Sequence, residues 1–168
     1  MTTTATAGGL TKEKWISLIL LKLEEEARAL EQAVTAAHEA ATHEESKAED
    51  QHDTRGLEAS YLAGAQAARH GEIKQLMTLF KFLNPKSFGP QDPIAVGAMV
   101  ELQLGPRKTL CFLVARGGGV SVHYDGRILQ VITPNAPLGD ALLGKRQGEE
   151  VEVEAQNTTR EYRILSVI

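Results

Sequence analysis

A chain of 168 residues with 42% hydrophobic content holds one ordinary domain or two small ones, with enough apolar side chain to bury a core. Only 5% of residues are aromatic, which excludes a broad stacking platform for single-stranded bases, and a formal charge of -4 gives no general attraction to a phosphate backbone. The one cysteine, Cys111, lies in the apolar run Thr109 to Val114, so an intramolecular disulfide is excluded and a buried thiol in a reducing, cytoplasmic setting is expected.

Residues 1–10 read as a flexible start with no basic stretch ahead of an apolar one, and the run Trp15 to Leu23 is too short to span a bilayer, so neither export nor anchoring is expected. Thr11 as an N-cap, with acidic Glu13 in the first turn, opens a helix. Along it Ile16, Leu20, Leu23, Ala27, Leu30, Val34, Ala37 and Ala41 alternate four and three apart, an apolar seam that needs a partner helix. Between Glu44 and Gly56 the seam stops and charge accumulates, which predicts a turn. Beyond it Ala59, Leu62, Gln66, Arg69, Ile73, Leu76, Phe80 and Leu83 repeat the spacing, apolar at both ends and polar in the middle. The sequence therefore predicts an antiparallel coiled-coil hairpin over 11–84 with its tip near 44–56. Arms of about thirty residues would run about 45 Å, longer than a compact core needs. Lys12, Lys14, Lys22 and Arg28 on the first arm, with Arg69, Lys74 and Lys81 on the second, form either a basic stripe or a solvated face. Arg69, on the seam, is expected to snorkel or to pair with an acid of the first arm.

Asn84-Pro85 ends the second helix and 85–93 is a proline-rich linker. From residue 94 the period changes to two. Met99–Leu104, Thr109–Ala115, Val120–Tyr124, Ile128–Thr133, Glu149–Ala155 and Arg160–Ile168 read as strands, with a short helix over Ala136–Leu143. Val151, Val153 and Ala155 alternate with Glu150, Glu152 and Glu154, as in a strand with one wet face. The expected class is α+β: a helical hairpin followed by a small antiparallel sheet with one helix over 94–168. Gly117-Gly118-Gly119 joins two strands and lacks the lysine of a phosphate loop, so it reads as a turn.

The stretch Thr133 to Val153, with Pro137-Leu138, Ala141-Leu142-Leu143-Gly144-Lys145 and Gly148-Glu149-Glu150-Val151, resembles the C-terminal domain of bacterial Gre transcript cleavage factors, and so does Arg160-Glu161-Tyr162-Arg163-Ile164-Leu165. The order of hairpin and sheet is similar too, so the resemblance runs over nearly the whole chain. It implies an FKBP-like sheet domain that docks on the rim of RNA polymerase while the hairpin enters the secondary channel. There the tip carboxylates help to hold the second catalytic Mg²⁺, and the polymerase cleaves its own backtracked transcript. The implied partners are bacterial RNA polymerase and, indirectly, the nascent RNA 3′ end, with no membrane, no cofactor of the chain's own, Mg²⁺ supplied by the polymerase, and a monomeric state. The chain would stimulate the polymerase's nuclease activity and not be an enzyme itself. Pro137 and Leu138 are the implied docking residues, with core packing as the alternative for Leu138.

The tip departs from the family's Gly-Asp-Leu-Ser-Glu-Asn-Ala-Glu-Tyr pattern. Aligning Ala48-Glu49-Asp50 on Ser-Glu-Asn puts Glu49 on the family glutamate, while Ser46 falls where the aspartate stands. Glu45, Glu49 and Asp53 would share one helical face at spacing four, so the candidates are Glu45, Glu49, Asp50 and Asp53, with Glu49 and Asp50 as ligands toward the polymerase Mg²⁺ and Arg55 as an RNA contact or an ion-pair partner. His38, His43 and His52 lack the spacing of a zinc site. The altered tip also fits a regulator that occupies the channel and inhibits or modulates transcription without cleavage. From another class, a dimerising coiled coil would make the chain a structural adaptor. Prolyl isomerase activity is disfavoured, because only Phe112, Tyr124 and Tyr162 lie in the strands.

Overall fold

The structure, a computed structural model, describes residues 6, 7, 9–42, 55–155 and 157–168. The predicted tip, 44–56, therefore lies almost wholly outside the described residues. Two short strands, β1 (Thr6–Ala7) and β2 (Leu10–Thr11), pair antiparallel within the segment expected as a flexible start. Helix α1 (Lys12–Thr42) follows directly. Its start is capped as the sequence suggests, with the Lys14 backbone N–H donating to Thr11 Oγ1 at 3.3 Å and Glu13 in the first turn. Helix α2 (Arg55–Lys81) ends three residues before Asn84-Pro85.

The chain divides into two compact units, one of Met1–Ile19 with Leu83–Ile168 and the other of Leu20–Phe82. In the helical unit the arms run antiparallel, with Arg69 beside Glu26 and His70 beside Glu31. Leu23, Ala27, Ile73 and Phe80 are buried there, as the seam predicts. The second-arm seam is corrected in its middle: Leu62 is 58% exposed and Arg69 is exposed, while Ala63 and His70 are half-buried. The steps Ala63, Gln66, His70, Ile73, Met77 and Phe80 also alternate three and four. Both phases share Gln66, Ile73 and Phe80, and with polar residues between them periodicity alone does not separate the two.

In the other unit β3 (Met99–Leu104), β4 (Arg107–Leu113), β5 (Ser121–Tyr124), β6 (Arg127–Ile132), β7 (Glu150–Ala155) and β8 (Thr158–Val167) form one sheet in the order β5-β6-β4-β3-β8-β7. Four of its pairings are antiparallel, as expected for the sheet, and one, β4 with β6, is parallel. The reason is the tight hairpin between β5 and β6. Its Asp125-Gly126 turn has φ of 48° and 70°, both left-handed as a two-residue hairpin requires. The crossover through Gly117-Gly118-Gly119, with φ of 92° and 95° at Gly117 and Gly119, places β6 rather than β5 beside β4.

The interior strand β4 buries Leu110, Cys111, Phe112 and Leu113 on both faces. One face forms a core of Ile94, Ala98, Val100, Leu102, Cys111, Leu113, Leu142, Val151, Ile164 and Val167. Each large aliphatic side chain removed from water there contributes about 1.5–3 kcal/mol before ordering costs. Helix α3 (Pro137–Leu142) begins with proline in its first turn and no side-chain cap, a position where the missing N–H costs nothing. Gly139 lies in that helix where a Cβ would collide with the Thr133 carbonyl oxygen. Beyond α3 the backbone hydrogen bonds from Gly144 N to Ile94 O and from Ile94 N to Lys145 O tie the residue that follows the predicted linker into the core.

Candidate functional site

The acids expected to act at the tip, Glu45, Glu49, Asp50 and Asp53, lie outside the described residues, and so does the side chain of Arg55, whose backbone opens α2. The described parts of the two arms do test the expected basic stripe. Arg28 lies 3.8 Å from Glu24 one turn back on its own helix. Arg69 donates through Nη2 to Glu26 Oε1 at 2.8 Å across the hairpin and through Nη1 to Glu72 Oε2 at 3.3 Å on its own arm. Those carboxylate bonds, Glu26 first, raise its pKa above the ordinary guanidinium value. Arg69 thus pairs with a first-arm acid, as expected, but from the exposed flank of the seam.

Lys12 departs furthest from the expectation of a solvated cation. It is 5% exposed, and its ammonium donates to the carbonyls of Lys86 and Gly97 and lies 5.1 Å from the centre of the Phe88 ring. Burial lowers its pKa to about 8 against the opposing charge of Glu13. Lys12 is a structural clamp at the start of α1, not part of a nucleic-acid stripe. Trp15, fully buried, stands beside it: its indole N–H donates to Ala7 O at 2.8 Å and its ring meets Tyr124 edge-on at 6.4 Å. Sequence reasoning missed this anchor. A single tryptophan one helical turn beyond Thr11, in a chain so poor in aromatics, was the available signal.

The two expected docking residues separate. Pro137 is exposed in the first turn of α3, whereas Leu138 is half-buried and packs against the sheet core. Near them a cavity of about 470 Å³ is lined by Gly118, Ser121, Gln130, Ile132, Thr133 and Ala136 among others, with no aromatic or charged residue in its wall. Its polar groups are hydroxyls, an amide and the backbone, which offer no acid, base or nucleophile of shifted pKa. On the other sheet edge, β7 and β8 set Glu152 directly opposite Glu161. Glu161 also shares a hydrogen bond with Glu150, which raises its pKa. Cys111 is buried as expected, its thiol pushed up to about 12 by desolvation. Among the described residues no group of three or more His, Cys, Asp or Glu is placed to hold a metal ion, and no helix is long and apolar enough to cross a membrane.

Residues 125–168 match the family described as Transcription elongation factor, GreA/GreB, C-term. Among solved structures, Gfh1 of Thermus aquaticus is 19% identical over 87% of this chain and 91% of its own, with a TM-score of 0.38. The GreA factor homolog 1 (Gfh1) of Thermus thermophilus is 22% identical over 91% and 94%, with a TM-score of 0.37. A prokaryotic transcription elongation factor GreA/GreB from Nitrosomonas europaea is 23% identical over 56% and 78%, with a TM-score of 0.36. Those scores are too low for the superpositions to bear on function. No curated protein matches the chain.

Proposed function

We propose that this chain, whose residues 125–168 match the GreA/GreB C-terminal family, binds RNA polymerase through its sheet unit and presents its helical hairpin to the secondary channel, where it stimulates cleavage of backtracked transcripts. The observation that carries this reading is the family match on the sheet unit of a chain that also builds an antiparallel hairpin from arms of 31 and 27 described residues. Such a hairpin delivers short side chains to a distant site without itself catalysing anything. The work falls to Glu49 with Asp50 or Glu45, and Asp53 completes the acidic set. Carboxylate oxygens are the ligands that a hard divalent cation such as Mg²⁺ accepts, and two cations can stabilise both the attacking and the leaving oxygen of a phosphoryl displacement. The cations belong to the polymerase. Arg55 is the candidate for the RNA phosphate, and Pro137 for the polymerase rim.

A second reading has its own observation. Ser46 stands where the family aspartate is expected, which removes one carboxylate and favours a factor that occupies the channel and slows or redirects transcription. Transcript cleavage in a purified backtracked elongation complex at limiting Mg²⁺, with and without the protein, separates the two. Faster cleavage that disappears with Glu49→Ala supports stimulation. Binding with unchanged cleavage and slower elongation favours the channel-occupying regulator, and absence of binding removes both.

A further inference from the structure

The hairpin changes character along its length. Among the described residues, the buried apolar side chains of the helical unit, Leu23, Ala27, Ile73 and Phe80, lie in the half away from the tip. Toward the tip, α1 offers Leu30 and Val34 half-buried and Ala37 exposed, and α2 offers Ala63 and Gln66 half-buried with Leu57, Tyr61 and Leu62 exposed. The distal half thus has little apolar seam to hold its arms together. It also carries a penalty, because Gln66 Oε1 is buried with no hydrogen-bond partner among the described residues.

The cross-arm polar pairs lie where the apolar seam gives out. Arg69 bridges Glu26 on the facing arm and Glu72 on its own at 2.8 and 3.3 Å, and His70 Nε2 meets Glu31 Oε1 at 2.8 Å. Two adjacent residues of α2 thereby grip two first-arm acids five residues apart. That geometry fixes register as well as closure, since a displacement of one helical turn, about 5.4 Å, breaks both bonds. Polar partners in a coiled-coil seam specify alignment even where they add little stability.

We infer that Arg69 and His70 form a clasp with Glu26 and Glu31 that keeps the distal, apolar-poor half of the hairpin closed, and that they are positioning residues for whatever the tip carries. The clasp stands on the hairpin's own geometry; its consequence for the tip rests on the function proposed above. Without it the arms beyond residue 31 on α1 and before residue 69 on α2 separate locally, while the half around Leu23, Ile73 and Phe80 stays packed.

The test uses the full chain carrying Arg69→Gln with His70→Gln. Backbone amide exchange is expected to lose about tenfold protection across 57–66 with little change around Ile73, as local opening demands. Spin labels at Ala36→Cys and Ser60→Cys, both exposed, read the same event as a broadening toward longer distances, and the buried Cys111 leaves the labels unambiguous. Arg69→Glu alone is expected to show the same losses, and adding Glu26→Arg to it to recover part of both signals through the cross-arm pair, a rescue that loss of bulk packing would not show. Unchanged exchange and distances in the double variant overturn the clasp, and so does an equal loss of protection on both sides of it. Both readouts are taken without polymerase, so they judge the clasp whatever the cleavage assay says; if the tip works as proposed, the double variant also loses stimulated cleavage, and adding Glu26→Arg to Arg69→Glu regains part of it.

Discussion

Gly139 and Lys12 show how much single positions decide here. A Cβ at Gly139 would collide with the Thr133 carbonyl oxygen and press Leu113 Cδ1 at 3.3 Å. Backbone cannot yield as a flexible side-chain end does, so Gly139→Ala is expected to cost about 1–3 kcal/mol, read as a lower denaturant midpoint with the slope unchanged. Gly64, mid-helix with nothing within 4 Å of its would-be Cβ, is the contrast: Gly64→Ala is expected to raise stability by about 0.5–1 kcal/mol. Lys12 yields a pH effect of determinable sign. Desolvation brings its pKa in the folded chain down to about 8, below the value of about 10.4 for an unfolded lysine. Between these values the folded chain binds fewer protons at this site than the unfolded one, so stability rises with pH through the window and the gain is lost as pH falls through about 8. The full span is up to about 3 kcal/mol. Lys12→Met is expected to flatten that part of the stability profile measured by urea unfolding between pH 7 and 10.5; an unaltered profile would show that Lys12 is solvated.

The same distinction between pattern and environment governs the elements. Strand order, the parallel pairing of β4 with β6 and the phase of the second-arm seam all depend on partners distant in sequence, so local periodicity did not supply them. What was legible rested on strong local chemistry: Thr11 as a cap, the glycine run 117–119 as a turn between strands, and the alternation of Val151 and Val153 with glutamates. In α2 both heptad phases contain Gln66, Ile73 and Phe80, and only packing chooses between Leu62 and Ala63 or between Arg69 and His70. Ile73→Ala, at a fully buried site, is therefore expected to cost about 2–5 kcal/mol. Leu62→Ala, at a site 58% exposed, is expected to change stability by less than about 0.5 kcal/mol. Comparable losses in thermal or chemical unfolding would restore the phase that places Leu62 on the seam.

At the scale of the molecule, the acidic tip expected to act lies outside the described residues, and the sheet unit is where the sequence and the fold can be compared. The family resemblance over Thr133 to Val153 lies within the segment 125–168 that the family matches, the later part of the sheet unit. The hairpin was legible as an architecture but not in its energetics, since burial of Lys12, the clasp at Arg69 and the orphaned Gln66 carbonyl are properties of facing residues. Those energetics imply unequal stability in the two units. The lone tryptophan, Trp15, is fully buried in the unit containing the sheet, whereas Leu20–Phe82 holds most of the helix. Tryptophan fluorescence therefore follows the sheet unit and ellipticity at 222 nm follows mainly the hairpin. The hairpin, with few buried apolar layers and a polar middle, opens at lower free energy than a ten-residue apolar core. On heating, ellipticity is expected to fall before the fluorescence changes, by several degrees, and Ile73→Ala should widen the gap by lowering the first transition. Coincident transitions by both probes, unchanged in the variant, would mean that the two units unfold as one cooperative body, and the separate energetics assigned to the hairpin would have to be given up.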